Sequence, residues 1–137
     1  MASEMRVFIV IWMILCLTSI SYAAQGIAVW YPNRASPGRP PYTPSKCYGN
    51  NNNGVLVAGV SDALWNNGAA CGQRYRVTCV RGANKAPRPC RPGTSVEVRI
   101  VDYCSRGCQG VINLSRDAFS RIGDPDAGLV VVNYDQI

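Results

Sequence analysis

Six cysteines, Cys47, Cys71, Cys79, Cys90, Cys104 and Cys108, lie between residues 47 and 108, and the 137-residue chain contains no histidine. An even set of cysteines in a small exported domain reads as three disulfides, a framework of short loops around a modest core. Zinc is the competing use of six thiols. It is disfavoured because no histidine is available and no two short cysteine knuckles occur, so neither a metal nor a cofactor is expected. The same absence of histidine leaves no base to activate a cysteine as a nucleophile. Spacing alone does not choose among the pairings. A bridge that closes ten to thirty residues stabilises by about 3 kcal/mol.

An oxidising compartment is indicated independently by the N-terminus. A short basic start ending at Arg6 precedes the apolar run Val7–Leu17, and Ser21, Ala23 and Ala24 supply small residues. That run is too short to span a bilayer and has the pattern of a secretory leader, cleaved after Ala23, with Ala24 as the alternative. Residues 24–137 then form one domain of ordinary size, expected to be secreted and monomeric, with no membrane-embedded part. The formal net charge is +6, and twelve of the fourteen basic residues are arginines. Such a balance suits acidic partners, among them pectin-like polysaccharide; secretion argues against nucleic acid.

Residues 26–31 (GIAVWY) and 55–60 (VLVAGV) are β-prone runs. Five prolines between Pro32 and Pro44 exclude a central strand there and predict an exposed loop up to Cys47. Residues 61–68 predict one or two helical turns capped by Ser61 or Asp62 and ended by Gly68. In residues 73–81, Tyr75, Val77 and Cys79 alternate with Arg74, Arg76 and Thr78. In residues 94–103, Val96, Val98 and Ile100 alternate with Glu97 and Arg99. Both segments read as half-buried strands, joined as an antiparallel pair by the proline-bearing loop 82–93. Ser115 is placed to cap a helix through Ile122 with Asp117 in its first turn, and residues 128–134 read as a strand buried on both faces. Short strands, two small helices and many turns suggest a closed β-barrel.

The ordered set GIAVWY (26–31), PPYTPSKCYG (40–49), LWNNGAACGQRYRVTC (64–79), VDYC (101–104) and NLSRDAF (113–119) resembles plant natriuretic peptides. These are small secreted proteins related to the first domain of expansins and to family-45 endoglucanases. The resemblance spans the whole domain and implies a six-stranded double-psi β-barrel with short helices. It implies the bridge Cys47–Cys71, with Cys79–Cys90 and Cys104–Cys108 as the expected remainder and a longer-range pairing of Cys104 and Cys108 left open. It also implies an extracellular, apoplastic signal that acts through a plasma-membrane receptor and cyclic GMP on water and ion homeostasis. In that family the activity is attributed to the region matching Pro40–Gly72, where Tyr42, Lys46, Tyr48 and Trp65 are contact candidates. For Trp65, packing of the helix is the stronger expectation.

Inverting glycosidases need two carboxyl groups, an acid and a base, on opposite sides of a bond. The resemblance to the family-45 enzymes implies that Asn113 matches their acid, and after the leader no Asp or Glu precedes Asp62. No catalytic residue is therefore assigned, and the chain is expected not to be an enzyme. Asp102 retains a groove position; it is expected to bind backbone amides of the turn through Cys104 and Cys108, with ligand binding as the alternative. The other function considered is a wall-polysaccharide-binding module. Wall loosening is not expected from a single barrel ending at Ile137. A basic face of Arg74, Arg76, Arg81, Lys85, Arg88 and Arg91 is the candidate site for pectin. Residues 33–39 are interposed relative to the natriuretic-peptide pattern and add Arg34 and Arg39. Asn113-Leu114-Ser115 also matches the N-glycosylation pattern, though on a segment poorly suited to it.

Overall fold

The computed structural model describes residues 23–34, 36–105 and 108–137; the leader assignment lies outside them. Six strands, β1 (Ala24–Tyr31), β2 (Val57–Val60), β3 (Arg74–Gly82), β4 (Ser95–Tyr103), β5 (Ile112–Ser115) and β6 (Leu129–Gln136), close a barrel in the order β1-β5-β2-β4-β3-β6. β1 and β5 run parallel, as do β2 and β4, while the other four contacts are antiparallel. This is the double-psi β-barrel. Closure satisfies both edges of every strand, so a small sheet exposes no unpaired backbone row.

Alternation sorts the side chains as the sequence suggests. Tyr75, Val77, Val96, Val98 and Ile100 turn inward, and Arg74, Arg76, Glu97 and Arg99 face solvent. The antiparallel β3–β4 pair sets Arg76 opposite Glu97. In β6, three consecutive residues, Val130, Val131 and Val132, are buried. β6 is flanked by β1 and β3 and covered on both faces, hence its nearly continuous apolar run.

One strand escaped the periodicity. β5 is four residues long and passes directly into helix α2 (Arg116–Ile122), so its pattern merges with the helix cap. Ser115 closes the strand and opens the helix: its hydroxyl accepts from the Ala118 amide at 3.1 Å and donates to the Val55 carbonyl at 2.6 Å. From α2, Ala118, Phe119 and Ile122 fill the barrel core.

Helix α1 (Asp62–Trp65) differs from expectation. Neither Ser61 nor Asp62 caps it; the Ser61 hydroxyl reaches the Val111 carbonyl at 3.3 Å instead. Its end also comes before Gly68, because Asn66 and Asn67 already adopt left-handed backbone at φ 48° and 52°. Asparagine tolerates that region better than most residues, so two of them stop the helix as glycine would.

Cys47 is bonded to Cys71, Cys79 to Cys90 and Cys104 to Cys108. The first bridge fastens the proline-rich loop to the turn before β3. Through the second, loop 82–93 is held to β3, and its backbone also meets the end of α2 by a bridge between Cys90 and Gly123. No helix among the described residues is long and apolar enough to cross a membrane.

Candidate functional site

Backbone register brings the two residues of interest together. Gly59 of β2 is the partner of Asn113 on β5 and of Asp102 on β4, so the three form one row across the barrel. Gly59 has no side chain to stand between the other two, and a Cβ there would lie 3.3 Å from the Asp102 carbonyl oxygen. The row depends on a register shift: Ala58 pairs with Ile100, but Gly59 pairs with Asp102, skipping Val101. A bulge of this kind re-aims the following side chain. Val101 joins a small cluster with Tyr42 and Val57, while Asp102, the next residue, lines a groove alongside Tyr42. Strict alternation would have sent these neighbours to opposite faces.

The groove has a volume of about 380 Å³ and is bounded by Tyr31, Arg34, Arg39, Tyr42, Asp102 and Asn113. Its near wall is the proline-rich loop, held against β4 by polar contacts. Asp102 Oδ1 accepts from the Lys46 amide at 2.9 Å and from the Tyr103 amide at 3.0 Å. The expected role of Asp102 is thus corrected: it fastens the loop before Cys47, rather than the turn through Cys104 and Cys108. The Cys47 amide adds a bond to the Val101 carbonyl at 2.9 Å.

Two buried polar atoms on residues that line this groove, Tyr31 Oη and Asn113 Oδ1, have no hydrogen-bond partner among the described residues. Buried polar atoms are nearly always satisfied, so two orphans in one groove mark a place where the fold leaves hydrogen-bonding capacity unused. The Asn113 amide nitrogen points to Cys104 Sγ at 3.6 Å, which fixes the side chain beside the Cys104–Cys108 bridge. Burial, and secondarily the Asp102 charge, push the Tyr31 hydroxyl well above the usual tyrosine range, so it stays a neutral donor.

A second groove adjoins the first through Pro32 and Tyr42 and carries Arg116, Asp117 and Arg121. The Tyr42 hydroxyl donates to Asp117 Oδ2 at 2.7 Å and accepts from the Asp117 amide at 3.3 Å. Burial, with the Asp117 bond next, raises the Tyr42 hydroxyl above its ordinary value.

The contact candidates are now placed. Tyr42 is 7% exposed and packed edge-on against Tyr31 at 5.2 Å, which removes it from any outward contact surface. Tyr48 is half-buried beneath Arg99, whose guanidinium lies 4.9 Å from the ring centre. Trp65 packs on the core and against Tyr103 at 5.0 Å. Lys46 alone of the four is exposed. Of the basic face, Arg74 and Arg76 share Glu97 at 2.7 and 3.1 Å and form a solvated strand pair. Sequence reasoning missed Tyr31, Arg34 and Arg39 as groove residues. The available signal was an aromatic at the end of a strand followed by a proline and two arginines.

A closed barrel of this order, with a groove beside the ends of β1 and β4 and the start of β5, defines the double-psi β-barrel class. The family model described as lytic transglycolase matches residues 57–134. An EG45-like domain containing protein of Citrus jambhiri is 45% identical, over 96% of this chain and 95% of its own length. Expansin-A20 of Oryza sativa subsp. japonica is 36% identical over 61% of this chain and 35% of its length. Among solved structures, a mutant Clavibacter michiganensis expansin in complex with cellohexaose superposes with a TM-score of 0.61. It is 25% identical, over 85% of this chain and half of that one. This chain belongs to the EG45-like family of double-psi β-barrel proteins.

Proposed function

We propose that the protein is a secreted, non-hydrolytic domain of the plant cell wall that holds a saccharide chain in the groove beside Asp102. The observation that carries this reading is the pair of orphaned polar atoms, Tyr31 Oη and Asn113 Oδ1, in one groove with a single carboxylate. A neutral donor, an amide oxygen and a carboxylate are the groups that bind sugar hydroxyls. They do not make an acid–base pair, because Asn113 has no proton to give and no second carboxylate lines the groove. Asp117, in the adjoining groove, is already bonded to Tyr42. The expansin solved with cellohexaose and the expansin relatives support a saccharide as ligand and the wall as the setting. The family model's description raises lytic chemistry as the alternative; Asp102, whose Oδ1 accepts from two backbone amides, is the one groove carboxylate it would have to use. Export is supported by the three disulfides. The test is incubation with soluble β-glucan: no new reducing ends should form, while amide resonances around Asp102 and Asn113 shift on adding an oligosaccharide. Release of reducing sugar would overturn the non-enzymatic reading.

A second reading is a natriuretic-peptide-type signal acting through a plasma-membrane receptor and cyclic GMP. Its support is that the segment matching the family's active region is stapled by Cys47–Cys71 and presents Lys46 to solvent. Oxidised protein should swell plant protoplasts and raise cyclic GMP, and reduced protein should not; equal inactivity of both would remove this reading.

A further inference from the structure

Charge distribution around the groove says more about the ligand than hydrogen-bonding capacity does. Arg34 and Arg39 line the same groove as Asp102. Neither guanidinium has an ion-pair partner among the described residues. Elsewhere about half of the cations are engaged, and Lys46, Arg81, Lys85 and Arg88 are exposed with no ion-pair partner among the described residues. Arg74 and Arg76 share Glu97, Arg99 lies over Tyr48, and Arg91 Nε donates to the Ser120 carbonyl at 2.8 Å. The adjoining groove repeats the imbalance: Arg116 is seated over the Trp30 ring at 5.4 Å, and Arg121 stands near it, against the one carboxylate of Asp117, which is bonded to Tyr42.

We infer that the groove takes an acidic glycan, a chain of uronic-acid residues, rather than a neutral glucan, with Arg34 and Arg39 pairing with sugar carboxylates while Tyr31 Oη and Asn113 Oδ1 meet sugar hydroxyls. This rests on the saccharide-binding reading above. Arginine is the side chain suited to it, because its planar fork matches a carboxylate in bidentate fashion. A neutral glucan would bring no counter-charge, and binding it would desolvate two guanidiniums without return. Within the EG45-like fold, the basic loop would therefore set ligand class without altering the barrel.

The test is a titration of the oxidised protein with hexagalacturonate and, separately, with cellohexaose, followed by calorimetry and amide chemical shifts. Hexagalacturonate should bind at least tenfold tighter than cellohexaose, shift the Asp102 and Asn113 amides, and weaken as salt rises. The double variant R34Q/R39Q should lose that preference, with affinity for the acidic sugar falling on the order of tenfold or more. R81Q/R88Q, which removes two exposed cations outside the groove, should leave it unchanged. Cellohexaose bound as well as or better than hexagalacturonate would overturn the inference while leaving saccharide binding standing. So would acidic-sugar binding lost in R81Q/R88Q but kept in R34Q/R39Q, because the site would then be the open basic face. Binding of neither sugar would overturn the saccharide reading as well.

Discussion

Replacing Tyr31 by phenylalanine should separate stability from ligand binding. The Tyr31 ring packs edge-on to Tyr42 at 5.2 Å, and its hydroxyl is buried without a partner among the described residues. Phenylalanine keeps the ring contact and removes only the oxygen. An unsatisfied buried hydroxyl costs about 1–3 kcal/mol, so Tyr31→Phe should be neutral to stabilising by about 1 kcal/mol at pH 7. For a domain of this size that raises the melting temperature by about 3–6 °C. The pH dependence has a definite sign. The folded-state hydroxyl titrates above its unfolded value near 10, so the stability tied to its neutral form is intact below about pH 10 and is lost as pH climbs toward the folded value. Wild type should therefore lose stability more steeply than Tyr31→Phe above about pH 10. At neutral pH, the same variant should bind the groove saccharide about tenfold more weakly, because one hydrogen bond is gone. Thermal melts across pH 6–11, beside one sugar titration, read all three effects. A loss of about 1 kcal/mol or more at pH 7 would refute the reasoning, since it would mean that the hydroxyl is satisfied within the folded protein.

Other outcomes follow from single contacts. Ser115→Ala removes the cap of α2 and the bond to Val55 together at a fully buried position, and should cost about 2 kcal/mol in denaturant unfolding. Asn113→Asp restores one carboxyl group but supplies no partner across the groove, so no reducing sugar should appear on soluble β-glucan. Asn113 should also be unglycosylated in protein secreted from plant cells, with intact mass unchanged by glycosidase, because its strand is paired on both edges and its amide is half-buried. Glu97→Gln breaks two exposed pairs with Arg74 and Arg76 and should change stability by under about 1 kcal/mol.

Much of the barrel is local in origin and so was readable in the chain. Alternation at residues 73–81 and 94–103 dictates which side chains of β3 and β4 turn inward, because a strand exposes successive residues to opposite faces. Ser115 announces α2, since a hydroxyl before a helical segment satisfies its free amides. Cysteine parity and the missing histidine imply stapled loops, whereas the match of Asn113 to an enzyme acid came from family resemblance and not from any local pattern. The rest is decided by contacts between distant segments. β5 is too short to carry a period of its own and exists because β1 and β2 flank it. The register skip past Val101 places Asp102 in the groove, and no local pattern encodes a skip that arises from how β2 and β4 meet. Tyr31, Arg34 and Arg39 become neighbours of Asp102 only when the proline-rich loop folds back and Asp102 fastens it through the Lys46 amide. Composition and periodicity thus determine which residues are buried and where strands and turns fall. Tertiary pairing alone decides which polar groups, far apart in the chain, share one groove, because that depends on strand register and loop closure, which no single segment contains.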